Sequence, residues 1–156
     1  MTEPPATFAA RGGWWVVGQA AIILAALALG PLARGRWPWP WRALGGLLLL
    51  LMVALVAGGV AAHGRRLTPF PRPAPEARLL QEGLYGLIRH PLYTANLCFL
   101  WGWALVWASG PALLAALAAV PFYHAKARRE EAWLRQRFPE YEDYERRVKR
   151  FVPGLW

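Results

Sequence analysis

Charge is scarce in this chain. Only 17% of its 156 residues are charged and 56% are apolar, whereas a soluble domain averages roughly 25% charged. Acid is scarcer than base: nine Asp and Glu stand against 18 Lys and Arg, a net charge of +9. Cysteine occurs once, as Cys98. That excludes an internal disulfide framework and a cysteine-built zinc cluster, and Cys98 reads as a small packing residue. No internal repeat is visible. These shortages exclude a disordered tail, a disulfide-bonded mini-protein and an ordinary soluble enzyme. They leave a small, basic, integral membrane protein.

What is present is segregated. Between Arg11 and Arg34 lie 22 uncharged residues, and between Arg42 and Arg65 another 22. Each run suffices for one helix across a hydrocarbon core of about 30 Å. Between His90 and Lys126 lie 35 uncharged residues interrupted by Ser109-Gly110-Pro111, a turn signal. The expectation is an all-α integral membrane protein with transmembrane helices at 13–33, 43–62, 91–109 and 111–127. The last two form a hairpin, and a cytosolic amphipathic helical segment follows at 128–156. A kink bordering a cavity is expected at Pro121. The alternative for the first helix is a cleavable signal peptide, but its apolar run exceeds the usual 7–15 residues.

Basic residues set the orientation. Arg11, five arginines between 65 and 89 and nine Lys/Arg from 126 onward fall on one side, fifteen in all. Arg34, Arg36 and Arg42 fall on the other. Both termini are therefore expected in the cytosol, in a cytoplasmic membrane. The basic excess is a topology signal, and no nucleic-acid partner is expected. Trp14, Trp15, Trp37, Trp39 and Trp41 read as interfacial belts. Gly45/Gly46 and Gly58/Gly59 allow close helix packing. Ionisable residues usually mark ion paths, and their absence from the apolar runs argues against a channel.

Two cytosolic stretches carry the chemistry. The first, His63 to His90, holds Pro69, Pro71, Pro73 and Pro75, an extended semi-rigid segment, and ends in EGLYGLIRHPLY. Pro91 suits the first turn of a helix. Arg89 and His90 then stand beside free backbone N–H groups, where an anionic group is held or where both simply snorkel. The second stretch is KARREEAWLRQRFPEYEDYERRVKRFVPGLW. Adjacent Glu130 and Glu131 point about 100° apart on a helix. Glu131 has Arg128 at i−3 and Arg135 at i+4, so a solvated ion-pair face competes with a ligand role. Tyr141, Tyr144 and Val148 share one face, which either lies on lipid or lids a pocket. His63 and His124 stand at helix ends, and no metal site is expected.

GLYGLIRHPLYTAN resembles the G-x-Y-x-x-I/V-R-H-P-x-Y-x-G box of the isoprenylcysteine carboxyl methyltransferase family. REEAWLRQRFPEYEDYERRVKRFVP resembles that family's second box, E-E-x-x-L-x-x-x-F-G-x-x-Y-x-x-Y-x-x-x-V-x-R-F-x-P. Phospholipid methyltransferases share the plan, including the paired glutamates. Ala95 and Pro139 stand where the boxes usually have glycine. The resemblance covers residues 83–153. It implies S-adenosylmethionine as cofactor, contacted by Tyr85, His90, Pro91, Tyr93, Glu130, Glu131 and Leu134. It also implies a lipophilic acceptor, an isoprenylcysteine carboxylate or a phospholipid, entering from membrane lipid between helices. Arg89 is the residue expected to position that acceptor, and the protein is expected to be a monomer. Two alternatives remain: an NADPH-dependent membrane reductase of the sterol reductase type, whose members carry a similar Arg-His-Pro-x-Tyr stretch, and a non-catalytic membrane helper or lipid-binding protein.

Overall fold

The computed structural model describes residues 7–72 and 77–155. Of the four prolines expected to stiffen the segment after His63, Pro73 and Pro75 lie outside the described residues, as do residues 1–6. Six helices follow one another: α1 (Gly13–Leu32), α2 (Trp39–His63), the single-turn α3 (Leu84–Leu87), α4 (Pro91–Trp107), α5 (Gly110–Arg137) and α6 (Tyr141–Arg147). No strand occurs among the described residues; Ile88 and Lys149 form one isolated parallel bridge.

Proline sits in the first turn of α2, α4 and α5, where a missing N–H costs no intrahelical bond. The turn expected at Ser109-Gly110-Pro111 is present. Ala108 adopts the left-handed conformation, and the Ser109 hydroxyl accepts from the Ala112 N–H at the start of α5. The same hydroxyl donates to the Leu29 carbonyl at 2.9 Å, tying the hairpin to α1.

α5 departs from expectation. It does not stop at 127 but continues to Arg137 through the paired glutamates. Residues 128–137 are thus a rigid extension of the bundle rather than the start of a separate segment. Pro121 lies within the helix but is exposed, and it borders none of the cavities described below.

α4 is the centre of the arrangement, with α2 on one side and α1 and α5 on the other. The α2–α4 crossing depends on small residues. A Cβ added at Gly45 would come within 2.8 Å of the Gly102 carbonyl oxygen, and one at Gly102 within 2.8 Å of the Gly45 carbonyl oxygen. Near the other end of α2, a Cβ at Gly59 would meet Leu92 at 2.6 Å, whereas Gly46 faces open space. On the opposite side of α4, Ala26, Leu100, Ala116, Ala119, Tyr123 and Ala127 make a core of mostly small side chains.

Only α1 and α2, among the described helices, are long and apolar enough to cross a bilayer unaided. Just 11% and 17% of their most apolar stretches are buried in the protein. Leu24, Leu32, Leu47 and Leu50 are exposed. An apolar surface of that extent needs an apolar surrounding, so the structure fits a membrane protein. Of the four spans expected, the other two fall short of that measure: α4 has 17 residues, and the last third of α5 is charged.

Candidate functional site

The two motif stretches fold onto each other at the His63 end of the bundle. Gly83, at φ +57, turns the chain into α3, and Ile88 leaves it extended. The extended backbone then pairs with the residues after α6. The Arg89 N–H donates to the Lys149 carbonyl at 2.8 Å and the His90 N–H to the Arg150 carbonyl at 3.1 Å. The Thr94 hydroxyl donates to the Phe151 carbonyl at 3.1 Å, and the Tyr144 hydroxyl to the Tyr85 carbonyl at 2.6 Å.

Glu131 is the centre of this end. It is fully buried. Its Oε1 accepts from Arg89 Nε at 3.1 Å, Arg89 Nη2 at 2.9 Å, His90 Nε2 at 3.0 Å and Arg150 Nε at 2.9 Å. Its Oε2 accepts from Arg150 Nη2 at 2.5 Å. Burial alone would raise its pKa, but the hydrogen bonds from His90 and Arg150 and the charges of His90 and Arg89 outweigh that. They hold the carboxyl well below the usual carboxylate range. The solvated ion-pair alternative does not hold. Arg135 reaches Glu131 only at 3.8 Å and bonds Glu145 instead at 2.6 Å.

Glu130 points elsewhere, as the helical geometry requires. Its Oε2 accepts from the Tyr93 hydroxyl and lies 3.9 Å from His90 Nδ1. The Tyr93 ring stacks parallel on His90 with centroids 5.2 Å apart, and Lys126 Nζ stands 4.9 Å from its centre. Lys126 is itself buried, bonded to Gln19 Oε1 at 2.6 Å and to the Pro69 carbonyl at 3.4 Å.

Three cavities meet here. One of about 360 Å³ reaches into the apolar half along Gln19, Val56, Leu92 and Asn96. A second of about 270 Å³ runs along Thr68, Phe70, Pro71 and Arg78 to Leu134. A small third of about 60 Å³ reaches Tyr141 and Tyr144. His63 and Glu130 line all three. Together they fall within the size range of small-molecule sites.

The expected site residues divide accordingly. Tyr85, His90, Tyr93, Glu130 and Leu134 line these cavities. Pro91 and Glu131 are buried and line none of the three. Arg89 borders two of them, but its guanidinium binds Glu131 through Nε and Nη2. Nη1 donates to the carbonyls of Glu145 at 2.8 Å and Val148 at 2.6 Å. Its donors clamp the residues after α5 rather than face an acceptor. Tyr141, Tyr144 and Val148 pack inward with Leu79, Leu134 and Phe138; of the two alternatives for this face, it is the pocket that Tyr141 and Tyr144 cover.

Sequence reasoning missed two residues. His63 looked like an isolated helix-end histidine, and only the fold returns Tyr85 and Glu130 to it. Tyr141 was read as one face of an amphipathic helix. Its hydroxyl is buried without a partner among the described residues, on the wall of the smallest cavity. A buried orphan hydroxyl is costly, and a polar ligand would satisfy it. Glu130 Oε1, the Tyr141 hydroxyl and Leu134 offer an acceptor, a donor and an apolar wall. That donor set fits a cofactor with an amino-acid head and an adenosine. No group of three His, Cys, Asp or Glu among the described residues is arranged to hold a metal ion.

A helical bundle with lipid-suited helices and a polar ligand pocket at one end is the class that fold and site define. Residues 41–141 match the phospholipid methyltransferase family, and the chain belongs to that family. It is also 32% identical over 146 residues to the cobalt-zinc-cadmium resistance protein CzcN of Cupriavidus metallidurans. Identity is again 32% over 146 residues to the nickel-cobalt-cadmium resistance protein NccN of Alcaligenes xylosoxydans xylosoxydans. Both matches cover 92% of this chain, which spans 63% and 64% of those relatives. Membership suggests a membrane methyltransferase.

Proposed function

We propose that the protein is an S-adenosylmethionine-dependent methyltransferase acting on a lipophilic acceptor at the cytosolic face of a cytoplasmic membrane. In this reading α1, α2, α4 and the apolar part of α5 span the bilayer, with both termini in the cytosol. The observation that carries it is the meeting of three cavities at Glu130, inside the stretch matched by the family and beside an unpartnered buried hydroxyl.

The cofactor would supply a methyl group on a sulfonium. Glu130 and Tyr141 would bind its polar groups, and Leu134 would cover an apolar face. Tyr85 would offer a ring face to positive charge, worth about 0.5–2 kcal/mol. The branch of the 360 Å³ cavity toward Val56, Leu92 and Asn96 would admit the acceptor from the lipid. Alignment and exclusion of water are the main demands of such a transfer. Arg89, His90 and Glu131 would serve it by fixing the wall that carries Tyr93 and Tyr141.

The test is calorimetric binding of S-adenosylhomocysteine to the detergent-purified protein, with NADPH and Glu130→Gln as controls. Saturable binding that weakens in the variant is the expected result. Binding of NADPH instead would move the protein to the reductase class. Binding of neither by folded protein would leave a non-catalytic role. The similarity to two metal-resistance proteins further supports a part in tolerance of divalent metals. A host lacking the protein would then grow less well on cobalt, zinc or cadmium, and equal growth would remove that role.

A further inference from the structure

His63 ends α2, and its ring lines all three cavities where they meet. Nδ1 lies 3.0 Å from the Gly59 carbonyl oxygen and 3.1 Å from the Tyr85 hydroxyl. A carbonyl only accepts, so the Gly59 contact is a hydrogen bond only when Nδ1 carries the proton. The opposite tautomer could accept from the Tyr85 hydroxyl but would set two lone pairs against each other at the Gly59 contact, 3.0 Å. An Nδ1–H is compatible with both contacts, the Tyr85 oxygen accepting. The neutral ring is therefore protonated at Nδ1. Nε2 keeps a lone pair and has no partner among the described residues.

The other groups around the cavities that could accept a proton are committed elsewhere. Glu131 is buried among Arg89, His90 and Arg150. Glu130 accepts from Tyr93 at Oε2 and, in the reading above, offers Oε1 to the cofactor, and His90 Nε2 is bonded to Glu131. Lys126 is a donor held by Gln19 and the Pro69 carbonyl. Burial, with the nearby Glu130 and Tyr144, holds the Tyr85 hydroxyl well above its usual range and so protonated. The charged side chains sharing a cavity with His63 are, among the described residues, Glu130 and Lys126 of α5, Arg78 and Arg89.

We infer that His63 Nε2 is the proton acceptor in methyl transfer, and that the acceptor substrate carries a proton on its nucleophilic nitrogen, sulfur or oxygen. This rests on the methyltransferase reading above. The acceptor's lone pair forms the new bond to the methyl carbon while the carbon–sulfur bond breaks and its electron pair stays on sulfur. The acceptor's proton passes to Nε2. The positive charge lost from the sulfonium reappears on the imidazolium, which returns its proton to water between turnovers. A carboxylate acceptor needs no such group, so His63 divides two acceptor classes that the motif stretches leave open.

His63→Asn tests this, because the amide can still donate to the Gly59 carbonyl but has no Nε2. The probes are S-adenosylhomocysteine, vesicles carrying lipids with an amine, thiol or hydroxyl headgroup, and a prenylated cysteine with a free carboxylate. The variant is expected to bind S-adenosylhomocysteine within about twofold of the parent. Transfer to the proton-bearing headgroup should fall about 100-fold or more in kcat, with KM little changed and part of the rate restored by added imidazole. In the parent, nitrogen NMR should find Nδ1 protonated and Nε2 bare. Transfer by the variant within about threefold of the parent would overturn the inference. So would transfer to the carboxylate alone or to no probe, an Nε2–H ring, or a joint loss of binding and transfer that imidazole does not relieve. A parent that binds no S-adenosylhomocysteine would bring down the methyltransferase reading itself, and that result is distinct from the others.

Discussion

The two ends of α4 are held by opposite means. Toward Trp107, α4 meets α2 through Gly45 and Gly102, whose backbones approach because neither has a side chain. Toward His90, it is held through a carboxylate shared by Arg89, His90 and Arg150. In lipid there is little hydrophobic force between helices, so close contact has to come from small residues. At the His63 end the chain must instead fasten a polar wall, and buried charge fastens it at the cost of desolvation. Two adjacent glutamates show the difference within one helical turn: Glu131 is sealed among cations, and Glu130 opens on the cavities.

The largest effect should come from removing the shared carboxylate. Glu131→Gln leaves Arg89 and Arg150, both partly buried, without the fully buried carboxylate they share, a loss of about 3–5 kcal/mol. Thermal unfolding in detergent should fall sharply, and protease should cut the chain near residues 141–151. An unchanged melting temperature would mean that the charge contributes little and that apolar packing holds both ends. Next comes the crossing. Gly102→Leu overfills it and should cost about 1–3 kcal/mol, while Gly46→Ala, facing open space, should change little. Equal effects of the two would break the account of the α2–α4 contact.

A smaller effect sharpens the contrast at the ligand end. Tyr141→Phe removes a hydroxyl without a bonded partner, so stability should hold or rise slightly. Affinity for S-adenosylhomocysteine should fall about tenfold, or about 1.4 kcal/mol. Unchanged affinity would remove Tyr141 from the site. The smallest effect in the working range is that of pH. Folding lowers the Glu131 pKa, so its stabilisation is fully present above the unfolded carboxyl value of about 4.3. It is lost only as pH falls below that toward the folded value. Stability followed from pH 7 to 3 should therefore stay flat and then drop. A drop that starts above pH 5 would point to another group.

Much of the fold was legible because charge marks where helices stop. The runs bounded by Arg11, Arg34, Arg42 and Arg65 gave α1 and α2 to within a few residues. Ser109-Gly110-Pro111 gave the hairpin by its own turn chemistry. The expectation divided α5 at 127, where apolar character ends, and made residues 128 onward a separate helical segment; in the structure one helix runs on to Arg137. The site was legible only in part. The motif stretches were evident as strings, and Glu130 could be separated from Glu131 by helical angle. Which of the two faces the cavity depends on Arg89 and Arg150, distant in sequence. His63 could not be assigned at all, since nothing near it in the chain indicates that Tyr85 and Glu130 return to its side.

The pairing of residues 88–90 with 149–151 has a consequence for the order of events during synthesis. α1, α2, α4 and the apolar part of α5 leave the ribosome before Arg150 does. The bundle can therefore enter the membrane while its ligand end is still unclosed, and the pocket wall is completed only when the last of those arginines arrives. A nascent chain arrested before that point would be a folded bundle without a finished pocket, so ligand capture would report that the segment had docked.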